Sequence, residues 1–255
     1  MKNPKNILIT GASSGIGRAL AIAYSAQGVN LFLCGRNAEK LSLTKAICEE
    51  LKANVLLQIV DVCDELAVAN WVEKIEETHE IDLVIANAGI SAGTAGGTES
   101  FSQVKQIFLT NLSGVLNVIH PVIEKMKLRR RGQIALVSSL AGFRGLPSSP
   151  AYSASKSAVR VYGEALRGNL KQFGISVNAV CPGYVKTPMT DVNEFPMPFL
   201  MEVEHAAKTI KRGLEKNKSR IAFPFPLYFV VWLATLLSTK ITDPIFAKLP
   251  GKKGL

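Results

Sequence analysis

Tyr152 and Lys156, two side chains that can move a proton, stand four residues apart. On a helix this spacing places both on one face. A free tyrosine has a pKa of about 10 and is a poor base at neutral pH, but a neighbouring ammonium group favours the phenolate. Alone, the pair also fits a packed tyrosine and a solvated lysine. Ser138 and Ser139 close an apolar, strand-like run upstream, so a serine hydroxyl can reach the oxygen of a substrate held by the pair.

A glycine-rich segment, TGASSGIG at residues 10–17, follows the first strand-like run. Gly11, Gly15 and Gly17 permit a tight turn, let the backbone approach a pyrophosphate and allow close packing of helix on sheet. The N-terminus of the following helix offers unpaired N–H groups to the anion. This spacing is a weak signal that also fits an ordinary strand-to-helix turn, but its position after the first strand favours a dinucleotide site.

Arg36 follows the second strand-like run, where NAD-binding chains place an acidic residue on the adenosine ribose. Its planar guanidinium matches the oxygens of a 2′-phosphate, so the sequence predicts NADP(H), preferred over NAD(H). The alternative is an ordinary exposed loop arginine. Asp61, followed by Val62, ends the third strand-like run, where it could accept from the adenine amino group or cap the next helix.

Short β-branched runs alternate with longer stretches of helical periodicity, which predicts repeated βαβ units. We expect an α/β fold, a single doubly wound parallel sheet of Rossmann type with helices on both faces, and one domain over residues 1–255. Strands are predicted at 6–10, 30–34, 54–60, 81–86, 133–138 and 175–181. Helices are predicted at 15–27, 38–52, 64–79, 99–129, 151–173 and 202–217.

The net charge of +10 calls for an acidic partner: a phosphorylated cofactor, an anionic membrane surface or nucleic acid. The basic residues are scattered, apart from a run at 129–131 and a pair at 252–253, and no aromatic residues interleave with them. We therefore expect no nucleic-acid partner. The four cysteines form no CxxC pair and no cluster with histidine, so neither a disulfide framework nor a metal is expected. With no secretory signal, this composition predicts a cytoplasmic protein.

Taken together and in this order, the motifs resemble those of the short-chain dehydrogenase/reductase family, in its ordinary-length branch. The resemblance runs from residue 6 to about residue 190. The matching motifs are the glycine segment ending at Gly17, Asp61-Val62, Asn87-Ala88-Gly89, Asn111, Ser139, Tyr152, Lys156 and Pro182-Gly183. Two departures are small: the frequent double asparagine of the family reads Ala86-Asn87, and Ser14 is neutral where some NADP-preferring members are basic.

The resemblance implies an oxidoreductase that transfers hydride between a nicotinamide and a carbonyl or alcohol. It makes Tyr152 the proton donor, Ser139 the serine that binds the substrate oxygen, and Asn111 the holder of a water that relays protons through Lys156. The implied cofactor site comprises Gly11, Ser13, Ser14, Gly15, Ile16, Gly17, Arg36, Asp61, Val62, Asn87, Ala88, Gly89, Tyr152, Lys156, Pro182, Gly183, Val185 and Thr187. A catalytically silent NADP(H)-binding regulator or scaffold is the alternative.

A hydrophobic C-terminal segment, at about 221–250, lies beyond the resemblance. Residues 221–237 carry no charge, and lysines follow at 240, 248, 252 and 253. Pro224 and Pro226 leave a helical part too short to cross a bilayer. One interpretation is a last strand and a buried helix, at a subunit contact of a homodimer or homotetramer. The other is a lid or interfacial helix for a lipid-like carbonyl substrate, with peripheral contact at the inner face of a membrane.

Overall fold

Seven parallel strands form one sheet in the computed structural model, which describes residues 1–248 and 250–254. The strand order is β3-β2-β1-β4-β5-β6-β7, and every neighbouring pair is parallel. The strands are β1 (Asn6–Thr10), β2 (Asn30–Gly35), β3 (Asn54–Ile59), β4 (Leu83–Ala86), β5 (Gly132–Val137), β6 (Ile175–Pro182) and β7 (Arg220–Phe223). The order reverses between β1 and β4, which confirms the predicted doubly wound sheet.

Helices connect the strands and lie on both faces of the sheet. They are α1 (Gly15–Tyr24), α2 (Ala38–Glu50), α3 (Glu65–Glu76), α4 (Phe101–Phe108), α5 (Gly114–Arg129), α6 (Pro150–Leu170), α7 (Pro188–Asp191), α8 (Val203–Glu215), α9 (Phe225–Leu236) and α10 (Thr239–Phe246). Two hydrophobic clusters, one on each face, fill the space between sheet and helices. The inner strands β1, β4 and β5 are almost wholly buried, which explains their continuous apolar sequences.

The predicted helix at 99–129 is interrupted by a π-helical turn at Leu109–Ser113, between α4 and α5. Such turns are rare and are frequently found at functional sites. Asn111 lies in this turn and is fully buried. The sequence placed this residue on the right element without revealing the local change of helix type.

The structure of the C-terminal segment agrees only in part with the interpretation of a last strand followed by a buried helix. β7 is the last strand that this interpretation required, and it pairs with β6. However, none of the 12 residues of α9, all of which the structure describes, is buried. Leu227, Tyr228 and Val231 pack partly against the cluster of Leu140, Ala179 and Cys181, and the rest of the helix faces outward. The prediction that this helix is buried within the chain is therefore wrong, because the sheet and its other helices fill their own core without α9. The predicted subunit contact stays a prediction.

Candidate active site

A cavity of about 880 Å³ opens at the carboxyl ends of the strands. This is the crevice in which doubly wound proteins bind ligands. The structure brings seventeen of the predicted cofactor residues, together with Ser139, the predicted catalytic serine, to its wall. Two predicted residues, Gly17 and Asn111, lie behind the wall and support it. The residues that line the cavity as predicted are Gly11, Ser13, Ser14, Gly15, Ile16, Arg36, Asp61, Val62, Asn87, Ala88, Gly89, Ser139, Tyr152, Lys156, Pro182, Gly183, Val185 and Thr187.

The glycine segment forms a tight turn between β1 and α1. Gly11 and Gly15 have φ angles of 65° and 52°, in the region that favours glycine. A Cβ on Gly17 would lie 2.3 Å from the backbone oxygen of Gly11, so only glycine lets α1 pack this closely on the loop. Ser14 is the N-cap residue, and no side chain caps the helix. The first N–H groups of α1 are thus available, and this cradle fits a pyrophosphate.

Hydrogen bonds join the ends of β1 and β4 beside the turn. The backbone N–H groups of Asn87 and Ala88 each donate to Thr10 Oγ1 at 3.0 Å. The Asn87 amide also donates to the backbone oxygen of Thr10 at 2.9 Å. Asn87 thereby fixes the point where the strand order reverses, and it does so without needing the second asparagine that is frequent in the family.

At the other end of the cavity, Arg36 lies 3.6 Å from the carboxylate of Asp61, and both side chains are largely exposed. Burial raises the pKa of Asp61, but hydrogen bonds from Cys63 and the guanidinium of Arg36 outweigh it and lower the pKa below its usual range. Asp61 therefore stays ionised. It does not cap α3, because Asp64 does so by accepting from the backbone N–H of Ala67. Val62 is held by a 2.9 Å hydrogen bond from the amide of Asn117 to its backbone oxygen.

Ser139, Tyr152 and Lys156 meet on the sheet side of the cavity. Ser139 follows β5 and accepts a hydrogen bond from the backbone N–H of Ala141, which orients its hydroxyl. The side chains of Ser139 and Tyr152 are hydrogen-bonded to one another. Lys156 Nζ lies 5.9 Å from the centre of the Tyr152 ring and donates to the backbone oxygen of Val137 at 3.0 Å. The predicted spacing on one helical face thus brings these groups together.

The pKa of Tyr152 is raised, whereas the sequence analysis expected the neighbouring lysine to favour the phenolate. Burial raises the pKa of Tyr152, and the hydrogen bond with Ser139 lowers it by less. Burial also lowers the pKa of Lys156, to about 8. Removal from water is the larger of the two effects on Tyr152, so its side chain is a neutral phenol at neutral pH. That is the protonation state needed to donate a proton to a carbonyl oxygen.

Asn111 and Lys156 approach each other across Gly89. A Cβ on Gly89 would lie 3.1 Å from Asn111 Oδ1 and 3.2 Å from Lys156 Nζ. Asn111 accepts from the backbone N–H of Ile90 and donates to its carbonyl oxygen, so the amide is fixed. It also donates to Ser155 Oγ at 3.1 Å. Asn111 therefore holds the loop after β4 against α6, and a side chain at position 89 would displace Asn111 or Lys156 by a few tenths of an ångström.

The loop after β6 closes the cavity opposite the glycine turn. The backbone N–H of Gly183 donates to the oxygen of Phe223 at 2.7 Å, which joins this loop to β7. Thr187 precedes α7, and its methyl group would lie 3.2 Å from a Cβ on Gly15. Pro182, Gly183 and Thr187 therefore face the turn that would hold the pyrophosphate. This position suits the nicotinamide end of a dinucleotide.

The outer wall of the cavity comes from the C-terminal segment, which one interpretation made a lid without naming the residues that line the cavity. This wall consists of apolar side chains from α9 and α10 together with one lysine from the C-terminal tail. The residues are Leu227, Val230, Val231, Ile245, Phe246 and Lys252. The apolar run at 221–237 was the available signal, but nothing in its composition shows that it returns to the catalytic centre.

Comparisons with known proteins agree with this arrangement. The profile of the short chain dehydrogenase family matches residues 5–195, which is 191 of 255 residues. An oxidoreductase of Myxococcus xanthus is 35% identical over 246 residues, covering 96% of this chain and 97% of its own.

Two solved structures share the fold. One is a short chain dehydrogenase from Mycobacterium paratuberculosis bound to NAD, with a TM-score of 0.76, 26% identity and coverage of 87% of this chain and 96% of its own. The other is a variant of actinorhodin polyketide ketoreductase with NADPH, with a TM-score of 0.75, 28% identity and coverage of 88% and 96%. The chain belongs to the short-chain dehydrogenase/reductase family and is an oxidoreductase that acts on CH–OH and C=O groups with a nicotinamide cofactor.

Proposed function

We propose that this protein is an NADP(H)-dependent reductase or dehydrogenase of a hydrophobic, lipid-like carbonyl or alcohol. The observation that carries the proposal is one cavity with Arg36 at the adenosine end, Tyr152 at the reacting end and apolar side chains beyond it. The same cavity thus offers a place for a phosphorylated ribose, a proton donor and room for an alkyl chain. The solved relatives hold NAD in one case and NADPH in the other, so the fold leaves the choice of cofactor to individual residues.

The reaction follows from the protonation states of the buried groups. When bound, the nicotinamide supplies or accepts the hydride at the substrate carbon. For reduction, the neutral phenol of Tyr152 gives its proton to the carbonyl oxygen as negative charge develops there. The Ser139 hydroxyl donates a hydrogen bond to the same oxygen and stabilises that charge. We assign Lys156 to the nicotinamide ribose and to the return of a proton to Tyr152, with Asn111 holding the relay water.

Arg36 supports NADP(H) because, in the part of the chain that the structure describes, Asp61 is the only acidic side chain paired with its guanidinium at the cavity rim. Its contact with Asp61 is long, at 3.6 Å, and exposed to solvent. Such pairs contribute about 0–1 kcal/mol, whereas a charge-assisted hydrogen bond to phosphate contributes about 1.5–3 kcal/mol. A 2′-phosphate would therefore displace Asp61 from Arg36.

The apolar outer wall supports a lipid-like substrate and contact with a membrane. Phe225, Phe229 and Leu236 project outward from α9, which has no charged residue, and Lys240 and Lys248 follow it. Apolar surface beside lysines suits an anionic interface. We infer a cytoplasmic protein of one domain, with peripheral contact at the inner face of a membrane, in a homodimer or homotetramer. Four free cysteines, Cys34, Cys48, Cys63 and Cys181, fit a reducing compartment.

The test is cofactor affinity and turnover in the unmodified protein and two variants. We expect NADPH to bind more tightly than NADH and to be oxidised with medium- and long-chain ketones and aldehydes. Arg36→Ala should lose about 10- to 150-fold in NADPH affinity, corresponding to about 1.5–3 kcal/mol, and little in NADH affinity. Arg18→Ala, an exposed arginine outside the cavity, is the matched control.

Equal affinities for the two cofactors in the unmodified protein would refute the assignment of Arg36. Tight NADPH binding without turnover on any carbonyl would favour the alternative of a catalytically silent regulator or scaffold.

A further inference from the structure

The C-terminal tail returns to the catalytic centre and is held there by its backbone. The N–H of Gly93 donates to the backbone oxygen of Lys253 at 2.6 Å, and the N–H of Ala95 donates to that of Lys252 at 2.8 Å. A Cβ on Gly93 would lie 2.5 Å from Cβ of Lys252, so the two segments are in direct contact. These backbone hydrogen bonds to the loop after β4 fix the position of the Lys252 Cα atom.

Lys252 points into the cavity beside Tyr152. Its ammonium group lies 5.8 Å from the centre of the Tyr152 ring and donates to Ser91 Oγ at 2.7 Å. Lys156 lies at a similar distance from the ring, 5.9 Å, but donates to a backbone oxygen of β5 and is buried. The tyrosine therefore has two lysines as neighbours. One belongs to the core, and the other belongs to the substrate side of the cavity.

The charge of Lys252 has no carboxylate partner among residues 1–248 and 250–254. No acidic side chain in these ranges lies within 4.0 Å of it, whereas the adjacent Lys253 pairs with Glu194 at 2.5 Å. Burial lowers the pKa of Lys252, which shows that the ammonium group is partly removed from water. A cation in this position gains from an anion that enters with the substrate, because the attraction is stronger where water is excluded.

A 2′-phosphate bound at Arg36 is too far away to be this anion. Arg36 follows β2, and Tyr152 lies beside β5, with β1 and β4 between them in the sheet. Neighbouring strands are about 4.8 Å apart, so the two ends of the cavity are separated by roughly 14 Å. The glycine turn that would hold the pyrophosphate follows β1, two strands from β5 and about 10 Å away, so we assign the anion to the substrate.

We propose that Lys252 and Ser91 form an anion subsite that binds a carboxylate or phosphate carried by the carbonyl substrate. This inference rests on the proposed function and names the substrate class: an oxo compound with an acidic head group and an alkyl chain. The head group lies against Lys252, the carbonyl lies against Tyr152, and the chain lies along Val230, Val231 and Phe246. Lys252 is thus a specificity-determining residue.

The test is equilibrium binding by isothermal titration calorimetry, which needs no turnover. Octanoate, octyl phosphate and 1-octanol are titrated into the full-length protein with and without NADP⁺. We expect the tighter of the two anions to bind at least tenfold more tightly than 1-octanol, and that anion identifies the head group. Lys252→Gln should reduce the preference to less than threefold, Lys252→Arg should keep it, and Lys253→Gln, the neighbouring control, should leave it unchanged.

The proposal is overturned if neither anion binds more tightly than 1-octanol, or if the preference survives in Lys252→Gln. Ser91→Ala provides a second variant outside the tail. It should weaken the preference for the anion over 1-octanol without changing the affinity for 1-octanol. These measurements do not depend on hydride transfer, so the two proposals can fail separately. If only the proposed function is wrong, the protein binds the anion through Lys252 but does not oxidise NADPH.

Discussion

The catalytic centre and the C-terminal extension, residues 224–254, border the same cavity but are built in different ways. Lys156 is only 3% exposed, and Asn111 and Ser155 are fully buried. Each is held by hydrogen bonds to backbone or neighbouring side chains. In the extension, Thr242 is the only buried residue among those that the structure describes, and most large apolar side chains face outward. The proposed reacting groups are therefore part of the core, whereas the apolar outer wall of the cavity is an addition to its surface.

A small number of contacts attach the extension to the rest of the protein. Tyr228 packs against Phe143 and accepts a hydrogen bond from Arg220. Arg144 bonds to Thr242 and forms an ion pair with Asp243 on α10. Elements with few buried contacts open at lower free energy than the core does. We therefore expect the extension to open at lower free energy than the residues around Tyr152 and Lys156.

The largest expected effect concerns the catalytic centre. Tyr152→Phe removes the proton donor and almost no volume, so turnover should fall by about 10²–10⁴-fold. The affinity for NADPH and the midpoint of unfolding should be nearly unchanged. Steady-state oxidation of NADPH and cofactor titration measure both. Tyr162→Phe, a half-buried tyrosine also on α6 but outside the cavity, is the control and should retain its turnover. Full activity in Tyr152→Phe would show that another group donates the proton.

The next prediction tests whether the two regions differ in their contribution to stability. Ile134 on β5 is 0% exposed, and Ile241 on α10 is 56% exposed. Ile134→Ala should lower the free energy of unfolding by about 2–5 kcal/mol, because it leaves a cavity in a close-packed core. Ile241→Ala should change it by less than about 0.5 kcal/mol. Urea unfolding at equilibrium measures both. Similar losses in the two variants would show that the extension is part of the core after all.

Most of the fold and of the catalytic centre could be predicted from the sequence, because their signals are local. The predicted strands at 6–10 and 175–181 differ from β1 and β6 by at most one residue, since an inner strand of a parallel sheet is a continuous apolar run. Tyr152 and Lys156 carry their spacing in the sequence, and the fold turns that spacing into proximity. The end of the predicted strand indicated Ser138 and Ser139 together, and the family resemblance selected Ser139.

What the sequence did not show depends on contacts between distant segments. A helix that is apolar on all sides, such as α9, is usually predicted to be buried. Its burial is decided by whether the sheet has an uncovered surface left, and the sequence of α9 carries no information on that. Lys252 lies more than ninety residues after Tyr152, and it reaches the cavity only because α9 and α10 direct the tail back to Gly93. The pairing of Arg36 with Asp61 was missed for the same reason.

The smallest expected effect tests what covers the outward face of α9. If this face contacts a membrane, Phe225, which is 70% exposed, should enter the interface together with its neighbours. Burying a phenylalanine contributes about 1.5–3 kcal/mol, and a partly exposed one somewhat less. Phe225→Ser should therefore weaken binding to phosphatidylglycerol vesicles by about tenfold in a sedimentation assay. Phe101→Ser on α4, where the phenylalanine is 82% exposed, is the matched control and should bind as the unmodified protein does.

Binding should also weaken with neutral phosphatidylcholine and with added salt, because Lys240 and Lys248 contribute through charge. If the protein binds neither kind of vesicle, and if Phe225→Ser dissociates a dimer, this face forms a subunit contact instead.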